Sequence, residues 1–218
     1  MQSQCHELTL ASSSPRRAEL LTRAGLPFRI VVVPVDEQPK HLEKPEALAT
    51  RLALDKAAAT GRNLVGGIVL GADTVVALED RVLGKPCDAA EAGAMLRVLR
   101  GREHRVITGV AVLDASTGQR YMEAVTTRVW MRPYTDAEIV AYVASGEPMD
   151  KAGAYAIQSG IAQLVQRIAG CYTNVVGLPL CAVARGLIAL GYPASPTLRP
   201  EDAEIYAECP DCQRLVVQ

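Results

Sequence analysis

The sequence predicts an α/β protein in which a mixed, twisted β-sheet carries helices on its faces. Two patterns along the 218 residues predict this class. Runs rich in β-branched residues, typical of strands, alternate with runs whose apolar residues have helical spacing. Two of the strand-like runs are separated only by a short turn, so a hairpin is expected beside the interleaved strands and helices.

The chain is expected to open with a strand, a helix and a second strand. Leu8–Ala11 is a short apolar run, and Ser14 followed by Pro15 is typical of a helix start. This helix should stop near Gly25, because glycine is the usual residue beyond a helix end. The β-branched residues of Phe28–Val35 then predict the second strand.

The next segments predict a helix, a buried strand and another helix. Apolar residues four apart favour a helix over residues 45–60, which precedes Gly61. Gly67–Leu78 is apolar and β-branched and is expected to be a buried strand. Asp88 with Glu91 three residues later is typical of a capped helix start.

A hairpin is expected in the middle of the chain. Arg105–Leu113 and Arg120–Trp130 flank a Ser-Thr-Gly turn and should pair as antiparallel strands. Thr135 with Glu138 then predicts the start of a further helix, which should end near a Ser-Gly pair at 145–146.

The last part of the chain is predicted to hold two short strands and one helix. The strands are expected over Ala154–Gln158 and Gln163–Ile168, and the helix should begin near Pro179. From Pro193 onward the chain is rich in proline and acidic residues, so a loosely held tail is expected there.

Composition indicates a globular protein without an electrostatic preference for nucleic acid or membranes. Hydrophobic residues make up 49% and charged residues 22%, and the net charge is −1. The longest apolar runs fall far short of the roughly 20 residues of a membrane helix. No signal-like segment opens the chain, so a cytoplasmic protein is predicted.

The six cysteines are mostly isolated in apolar or helical surroundings, which indicates buried thiols in a reducing compartment rather than a disulfide framework. Cys209 and Cys212 form a CxxC pair with no second pair and no following histidines. Because zinc needs four ligands, a structural zinc within one chain is not favoured.

Asp73 is the most informative single residue, because apolar and β-branched residues surround it in its predicted strand. An unpaired carboxylate there would cost several kcal/mol, so it should face a cation, a metal or a solvent-filled cleft. The alternative is a strand-end aspartate that hydrogen-bonds a turn.

The segment from Ser12 to Arg17 is a candidate anion site. Small residues entering a helix leave backbone N–H groups unpaired, and Arg16 and Arg17 add positive charge beside them. An ordinary helix cap with two solvated arginines explains the same residues equally well.

Two lysines and an acidic pair are further candidates. Lys56 continues the apolar stripe of its helix, so it either reaches the surface or a charged cleft. Lys85 lies in a loop after the Asp73 strand. Asp36 and Glu37 end a predicted strand, where they could hold Mg²⁺ or Mn²⁺ with Asp73 or form an exposed acidic turn.

Other common sites are not supported. The Ser145–Pro148 segment is a turn by composition and has no catalytic role on that ground. The three histidines are scattered, which argues against a histidine metal site or a histidine-based triad. Neither GxxxxGK[ST] nor GxGxxG occurs, so the phosphate-loop and Rossmann interpretations fail.

Taken in order, several segments resemble the Maf family of nucleotide pyrophosphatases. Each alone is weak, but the ordered set, spread over roughly residues 8 to 190, is specific. The segments are Leu10-Ala-Ser-Ser-Ser-Pro-Arg-Arg17, Val35-Asp-Glu-Gln38, Leu70-Gly-Ala-Asp-Thr-Val-Val76, Leu83-Gly-Lys-Pro86, Ser145-Gly-Glu-Pro148, Asp150-Lys-Ala-Gly-Ala-Tyr-Ala-Ile-Gln158 and Asn174-Val-Val-Gly-Leu-Pro-Leu180.

The resemblance implies a fold of two lobes around a central cleft, a divalent metal (Mg²⁺ or Mn²⁺) and a homodimer. It implies a family domain over residues 1–192 and leaves 193–218 as a C-terminal tail of unknown role. Asp73 matches the proposed general base, and with Glu37 it would hold or approach the metal. The substrate-binding positions implied are Ser12, Arg16, Arg17, Lys56, Thr74, Lys85 and Gln158.

Within the family, the residues resemble the branch that acts on dTTP and UTP. The positions tied to substrate choice in the family are matched by Arg16, Thr74 and Gln158. The sister branch, linked to 7-methyl-GTP, carries glutamine at the position of Thr74 and glutamate at that of Gln158. A neutral amide suits the donor and acceptor edge of uracil or thymine. Ser159 is a departure, since the family usually has glycine there, so the loop beside Gln158 could differ in shape.

The expected activity is hydrolysis of a pyrimidine nucleoside triphosphate to the monophosphate and pyrophosphate by metal-assisted attack of water at the α-phosphorus. A second hypothesis is a non-enzymatic, nucleotide-binding regulator, since the family has been linked to septum formation and cell division. Nucleic-acid binding through Arg16 and Arg17 is a third hypothesis, which the net charge disfavours.

Overall fold

The computed structural model describes residues 7–159, 162–199 and 206–216. These residues form an α/β fold with a mixed seven-stranded sheet, which confirms the predicted class. The strands are β1 Leu8–Leu10, β2 Arg29–Ile30, β3 Ile68–Leu78, β4 Arg81–Leu83, β5 Glu103–Asp114, β6 Arg120–Met131 and β7 Val165–Ala169.

The sheet combines parallel and antiparallel pairs in the order β2-β1-β3-β5-β6-β7, with β4 paired to β3. Strands β2 and β3 both run parallel to β1, whereas β3, β5, β6 and β7 are antiparallel neighbours. The predicted hairpin is therefore confirmed as β5 and β6. Strand β3 lies centrally, so its residues can face cores on both sides of the sheet.

The helices lie on both faces of this sheet, and α3 and α4 begin at the predicted capping residues. Ser14 precedes α1 as predicted, but its side chain makes no capping hydrogen bond. Thr135 and Glu138 form a reciprocal capping box, and the Asp88 side chain accepts from the Glu91 N–H. The helices are α1 Pro15–Arg23, α2 Pro45–Gly61, α3 Ala89–Leu99, α4 Asp136–Ala144, α5 Tyr172–Val176, α6 Leu180–Ala189 and α7 Pro210–Gln213.

Side chains on β3 alternate between two differently packed faces. Val69 and Val75 pack on the side of α2, whereas Leu70 and Val76 pack on the opposite side. That opposite side has two separate apolar cores, one around α1 and α6 and one around α3 and α4. By the same alternation, Asp73 lies on the α2 face.

Two glycines allow α2 to lie unusually close to the sheet. A Cβ atom at Gly71 would stand 2.1 Å from the Ala53 carbonyl oxygen, and one at Gly109 would stand 2.2 Å from that of Ala49. Gly109 is also the residue paired with Asp73 across the β3–β5 ladder. The backbone of α2 therefore rests directly on the part of the sheet that carries Asp73.

Two predicted strands differ from the structure. Within Phe28–Val35 only Arg29–Ile30 is a strand, and residues 31–40 continue without regular structure along the edge of a cleft. Residues 154–158 are likewise not a strand; the 3₁₀ turn Ala152–Ala154 leads into an irregular segment. Both segments border a cavity, where contacts with other elements outweigh local β-propensity.

The described part of the C-terminal tail packs against the protein, contrary to the loose attachment expected from composition. Leu198, Tyr206, Cys209 and Cys212 are all buried in the same core as α1 and α6. Backbone bonds from Thr197 to Ala24 and from Leu198 to Leu215 fix the segment further. Among the residues described, no helix combines the length and apolarity that crossing a bilayer requires.

Candidate active site

A large cavity lies beside β3. The two apolar cores on the sheet face opposite α2 both contribute residues to its wall. Its volume is about 1180 Å³. Pockets for nucleotide-sized ligands commonly reach about 1,000 Å³, so a nucleoside triphosphate has enough room. All nine site residues predicted from the sequence line this cavity: Ser12, Arg16, Arg17, Glu37, Lys56, Asp73, Thr74, Lys85 and Gln158.

The carboxylate of Asp73 meets a lysine at the cavity wall. The Lys56 Nζ lies 2.6 Å from Asp73 Oδ1 and 2.7 Å from Glu37 Oε1. The side chains of Lys56 and Asp73 are only 15% and 13% exposed. Of the two positions proposed for Lys56, the charged cleft is therefore the one observed, and Asp73 does face a cation.

Glu37 approaches this pair from the irregular segment that follows β2. Partial burial by itself would raise the pKa of Glu37, but the hydrogen bond and charge of Lys56 bring this pKa below its ordinary value. The charges of Lys85 and Arg17 add to the same effect. Glu37 therefore remains ionised at neutral pH and faces the same ammonium group as Asp73.

Arg17 is buried in the cavity wall near Asp73 and is fixed by three hydrogen bonds. Its Nε donates to the Gly177 carbonyl at 2.8 Å, Nη1 to Ser12 Oγ at 2.9 Å, and Nη2 to Thr74 Oγ1 at 3.1 Å. Thr74 Oγ1 also lies 2.9 Å from Thr108 Oγ1. The orientation of this guanidinium is thus determined by residues from four separate segments.

Burial lowers the pKa of the Arg17 guanidinium from its usual high value, and the charge of Asp73 opposes this effect. Arginine remains charged in proteins, so Arg17 is a fixed cation with little solvent around it. Such a cation has a stronger interaction with an anion than a solvated arginine would have. The serine-rich entry to α1 therefore presents positive charge to the cavity, as predicted.

Arg16 and Gln158 occupy the more accessible rim. Arg16 is half-buried. Burial by itself would raise the pKa of Asp150, but the hydrogen bond and charge of Lys151, with a smaller contribution from the charge of Arg16, lower this pKa. Gln158 is exposed to the cavity, and its side chain contacts the Tyr172 hydroxyl group. Both residues line the same cavity as the Lys56–Asp73 pair.

Three charged residues of the cavity wall were missed from the sequence: Glu147, Asp150 and Lys151. The Lys151 side chain is 12% exposed, and its Nζ donates to Asp150 Oδ1 at 2.7 Å and to the Glu147 carbonyl at 2.5 Å. The sequence feature that could have indicated these residues is a cluster of charged side chains beside glycines. By composition alone, such a cluster predicts only a turn.

Ser159 adds a link that glycine could not form. Its Oγ donates to Glu147 Oε2 at 2.9 Å and accepts from the Ala162 N–H at 3.0 Å. The residue does not have a positive φ, so the serine is accommodated without backbone strain. It connects the loop that carries Gln158 to the wall that carries Glu147.

The carboxylate oxygens of Glu37 and Asp73 are suitable ligands for a hard divalent cation. Mg²⁺ and Mn²⁺ prefer oxygen donors, and they are commonly held by one or two carboxylates together with substrate phosphates. Each carboxylate uses one oxygen for the Lys56 ammonium, and its second oxygen is the donor for an ion. The donor set therefore fits such an ion.

Comparison with known proteins points to a single family. Residues 7–190 match the family described as Maf-like protein. The "dTTP/UTP pyrophosphatase" of Geobacter sulfurreducens is 52% identical over 184 residues, covering 84% of this chain and 96% of that protein. The protein of the same name from Pelotomaculum thermopropionicum is 50% identical over 186 residues, covering 85% of this chain and 97% of that protein.

Proposed function

Since the chain belongs to the Maf family, we propose that it is a nucleoside triphosphate pyrophosphatase that hydrolyses dTTP and UTP to the monophosphate and pyrophosphate. The relatives that share about half of its residues over almost their whole length carry that activity in their names. The observation that carries the proposal at the site is the Asp73–Lys56 pair beside a buried arginine in a nucleotide-sized cavity.

The triphosphate is bound by four of the cations that line the cavity, namely Arg16, Arg17, Lys56 and Lys85. Arg16 and Arg17 present charge at the start of α1, while Lys56 and Lys85 present it from α2 and the loop after β4. Because Arg17 is held by three hydrogen bonds, its charge is already oriented before the substrate arrives. These groups also offset the charge that develops on the leaving pyrophosphate.

The chemical step is attack by water on the α-phosphorus. Asp73 takes a proton from the water, a new P–O bond forms, and the bond from the α-phosphorus to the bridging oxygen breaks. The electron pair of that bond leaves with the pyrophosphate. Lys56 holds the Asp73 carboxylate in place through the contact at 2.6 Å.

A Mg²⁺ or Mn²⁺ ion would be held by Glu37 and Asp73. When bound, such an ion would withdraw charge from the phosphate oxygens and make the phosphorus more electrophilic. Lys56 contacts both carboxylates and keeps them on one side of the cavity.

Base selection is assigned to the rim. The Gln158 amide offers one donor and one acceptor group to the edge of uracil or thymine. Thr74 contributes through Arg17, because its hydroxyl group accepts from that guanidinium rather than pointing freely into the cavity. Ser159 sets the position of the Gln158 loop through Glu147.

The proposal is tested by a hydrolysis screen of dTTP, UTP, dCTP, CTP, ATP and GTP with Mg²⁺ or Mn²⁺. Products are separated as monophosphate plus pyrophosphate or diphosphate plus phosphate. In water labelled with oxygen-18, attack at the α-phosphorus places the label in the monophosphate. Label in the pyrophosphate, or formation of the diphosphate, would contradict the proposed step.

The alternative is a regulator that binds the nucleotide without cleaving it. For either function, a homodimer and a cytoplasmic location stay predictions. Calorimetric titration with dTTP and UTP in the same buffers separates the two functions, since a regulator binds but releases no pyrophosphate. The Asp73→Asn variant purified in parallel provides the control for contaminating hydrolases. A wild-type preparation that binds dTTP or UTP but releases no pyrophosphate would refute the enzymatic assignment.

A further inference from the structure

Four cysteines from distant parts of the sequence meet in the core beneath the C-terminal tail. Cys171 precedes α5, Cys181 lies in the first turn of α6, and Cys209 and Cys212 lie at the start of α7 and inside it. All four are buried, and their sulfur atoms all lie within 4.8 Å of one another. Among the described residues, these four cysteines form the one group of three or more histidine, cysteine or carboxylate side chains that could surround a metal ion.

The spacing of the sulfur atoms matches a tetrahedral site for one ion. Cys171 Sγ lies 3.5 Å from Cys212 Sγ and 4.0 Å from Cys181 Sγ. A tetrahedron with metal–sulfur bonds of about 2.3 Å places its sulfur atoms about 3.8 Å apart. A disulfide would require about 2.05 Å, and an iron–sulfur cluster would hold its cysteines further apart because several metal ions lie between them.

The chemistry of the four ligands selects a thiophilic cation. Thiolates bind zinc and iron in tetrahedral S₄ sites, whereas Mg²⁺ and Mn²⁺ prefer oxygen. The ligand spacing within the tail is also suitable, because Cys209 and Cys212 form the CxxC unit found in many zinc sites. The site therefore differs in ligand type from the carboxylates of the cleft, and none of the four cysteines lines that cleft.

The surroundings of the cluster provide hydrogen bonds and positive charge. The Thr173 Oγ1 lies 3.1 Å from Cys171 Sγ, where its hydroxyl can donate to a thiolate. Arg185, one helical turn after Cys181, bonds to Asp211 in α7 at 2.8 Å and to Glu123 at 2.6 Å. Such groups stabilise the excess negative charge of a tetrathiolate site and hold its ligands in place.

We propose that Cys171, Cys181, Cys209 and Cys212 bind one zinc or iron ion in a tetrahedral structural site that fastens the C-terminal tail to the segment Cys171–Cys181, which contains α5 and the start of α6. Cys171 and Cys181 lie on either side of Gly177, whose carbonyl group accepts from Arg17. The ion thus connects the tail to the segment that orients the buried arginine of the cleft. This proposal does not depend on the proposed function.

The first test measures metal in the whole chain, purified under reducing conditions and dialysed against a mild chelator that removes Mg²⁺ and Mn²⁺. Elemental analysis should find one zinc or iron ion per chain. Cobalt introduced in its place should give the intense d–d and sulfur-to-metal bands of tetrahedral thiolate coordination. A chain that is free of metal, or whose cysteines are joined as disulfides, would overturn the proposal, as would cobalt bands typical of oxygen ligands.

The second test uses substitutions with a matched control. In the Cys209→Ser/Cys212→Ser variant, the bound metal should fall at least tenfold, because two of four ligands are lost. Cys87→Ser is the control, since Cys87 is exposed and lies outside the cluster. A strong zinc chelator should lower the melting temperature of the wild type and of Cys87→Ser but not that of the double variant. Full metal content in the double variant would exclude Cys209 and Cys212 as ligands. If this variant does not fold, the cobalt spectrum of the wild type still decides whether the metal is bound by thiolates.

Discussion

Asp73 and Lys56 show how a charge can be placed in an apolar strand. An ionised carboxylate without a partner in such surroundings would cost several kcal/mol. The Lys56 ammonium at 2.6 Å removes that cost, and both side chains remain open to the cavity at 13% and 15% exposure. The same arrangement that stabilises the charge therefore leaves it available to react.

Asp73→Asn tests the role of this carboxylate. The substitution preserves side-chain size but removes the proton acceptor, so turnover should fall by roughly 10²–10⁴-fold. Pyrophosphate release from dTTP measures the rate, and a thermal melt checks folding. Asp80→Asn is the matched control, because the Asp80 side chain is fully exposed and should be replaceable without effect. Near-normal turnover in Asp73→Asn would remove Asp73 from the mechanism.

His104 is a buried titratable residue on β5 that the proposed mechanism does not use. It is 2% exposed, its Nε2 lies 2.6 Å from the Tyr155 hydroxyl, and its Nδ1 has no hydrogen-bond partner among the described residues. Burial lowers the pKa of His104 from 6.5 to about 4. The folded protein therefore keeps this ring neutral under conditions in which the unfolded chain protonates it.

This difference predicts an acid-dependent loss of stability. The stabilisation is complete above pH 6.5 and declines as the pH falls toward 4, because only the unfolded chain gains a proton in that range. Between pH 7 and pH 4 the loss amounts to about 3 kcal/mol. Urea unfolding at several pH values measures it, and His104→Gln should flatten the dependence between pH 6.5 and 4.5. An unchanged slope in that variant would show that another group is responsible.

At the scale of elements, the position of α2 decides the geometry of the site. Lys56 lies on α2 and Asp73 on β3, and they meet because Gly71 and Gly109 leave no side chain between the helix and the sheet. Ala49 and Ala53 provide the matching small residues on the helix. A short lysine–aspartate contact thus depends on the close packing of two elements.

Gly109→Ala should separate these elements. Its Cβ would lie 2.2 Å from the Ala49 carbonyl oxygen, so the helix must move, at a cost of about 1–3 kcal/mol or more. The displaced Lys56 should also reduce kcat/KM for dTTP. The control is Gly93→Ala in α3. Its new Cβ would press only on the flexible end of Arg97 and would meet Ile139 at an ordinary contact distance of 3.9 Å, so helix propensity should stabilise by up to about 1 kcal/mol.

Thermal melts and dTTP hydrolysis measured on the two variants provide the comparison. If Gly109→Ala is as stable and active as Gly93→Ala, close packing of α2 is not required for the site. A stable but inactive Gly109→Ala would instead show that the helix position matters more for chemistry than for folding.

For the molecule as a whole, the C-terminal tail is part of the core rather than an appendage. Leu198, Tyr206, Cys209 and Cys212 share one apolar cluster with residues of β1, α1 and α6. This cluster also contains Val176 and Leu178, which flank the carbonyl group bonded to Arg17. Changes in the tail are therefore expected to affect the stability of the whole protein.

Leu198→Ala tests this packing. Leu198 is 2% exposed, so the substitution should lower the free energy of unfolding by about 2–5 kcal/mol through lost burial and a new cavity. Ile188→Ala on α6 is the control, since Ile188 is 66% exposed and its removal should change stability by about 0.5 kcal/mol or less. Denaturant unfolding compares them, and equal stability would mean that the tail is dispensable for folding.

The sequence by itself determined the alternation of strands and helices, two capped helix starts and nine of the residues that line the cavity. Capping, turns and periodicity depend on neighbours along the chain, so they can be read locally. The ordered segments resembling the family supplied the rest of the site prediction, including Thr74 and Gln158.

Only the tertiary structure decided which groups meet. It placed Lys56 against Asp73 and gave Arg17 its three partners. It added three charged residues to the cavity wall, Glu147, Asp150 and Lys151. It left most of residues 28–35 and 154–158 without strand pairing. It also brought Cys171 and Cys181 to the tail pair, where the sequence had offered only two of the four ligands a zinc site needs. Contacts between residues far apart in the chain depend on how elements pack, and local sequence does not encode that packing.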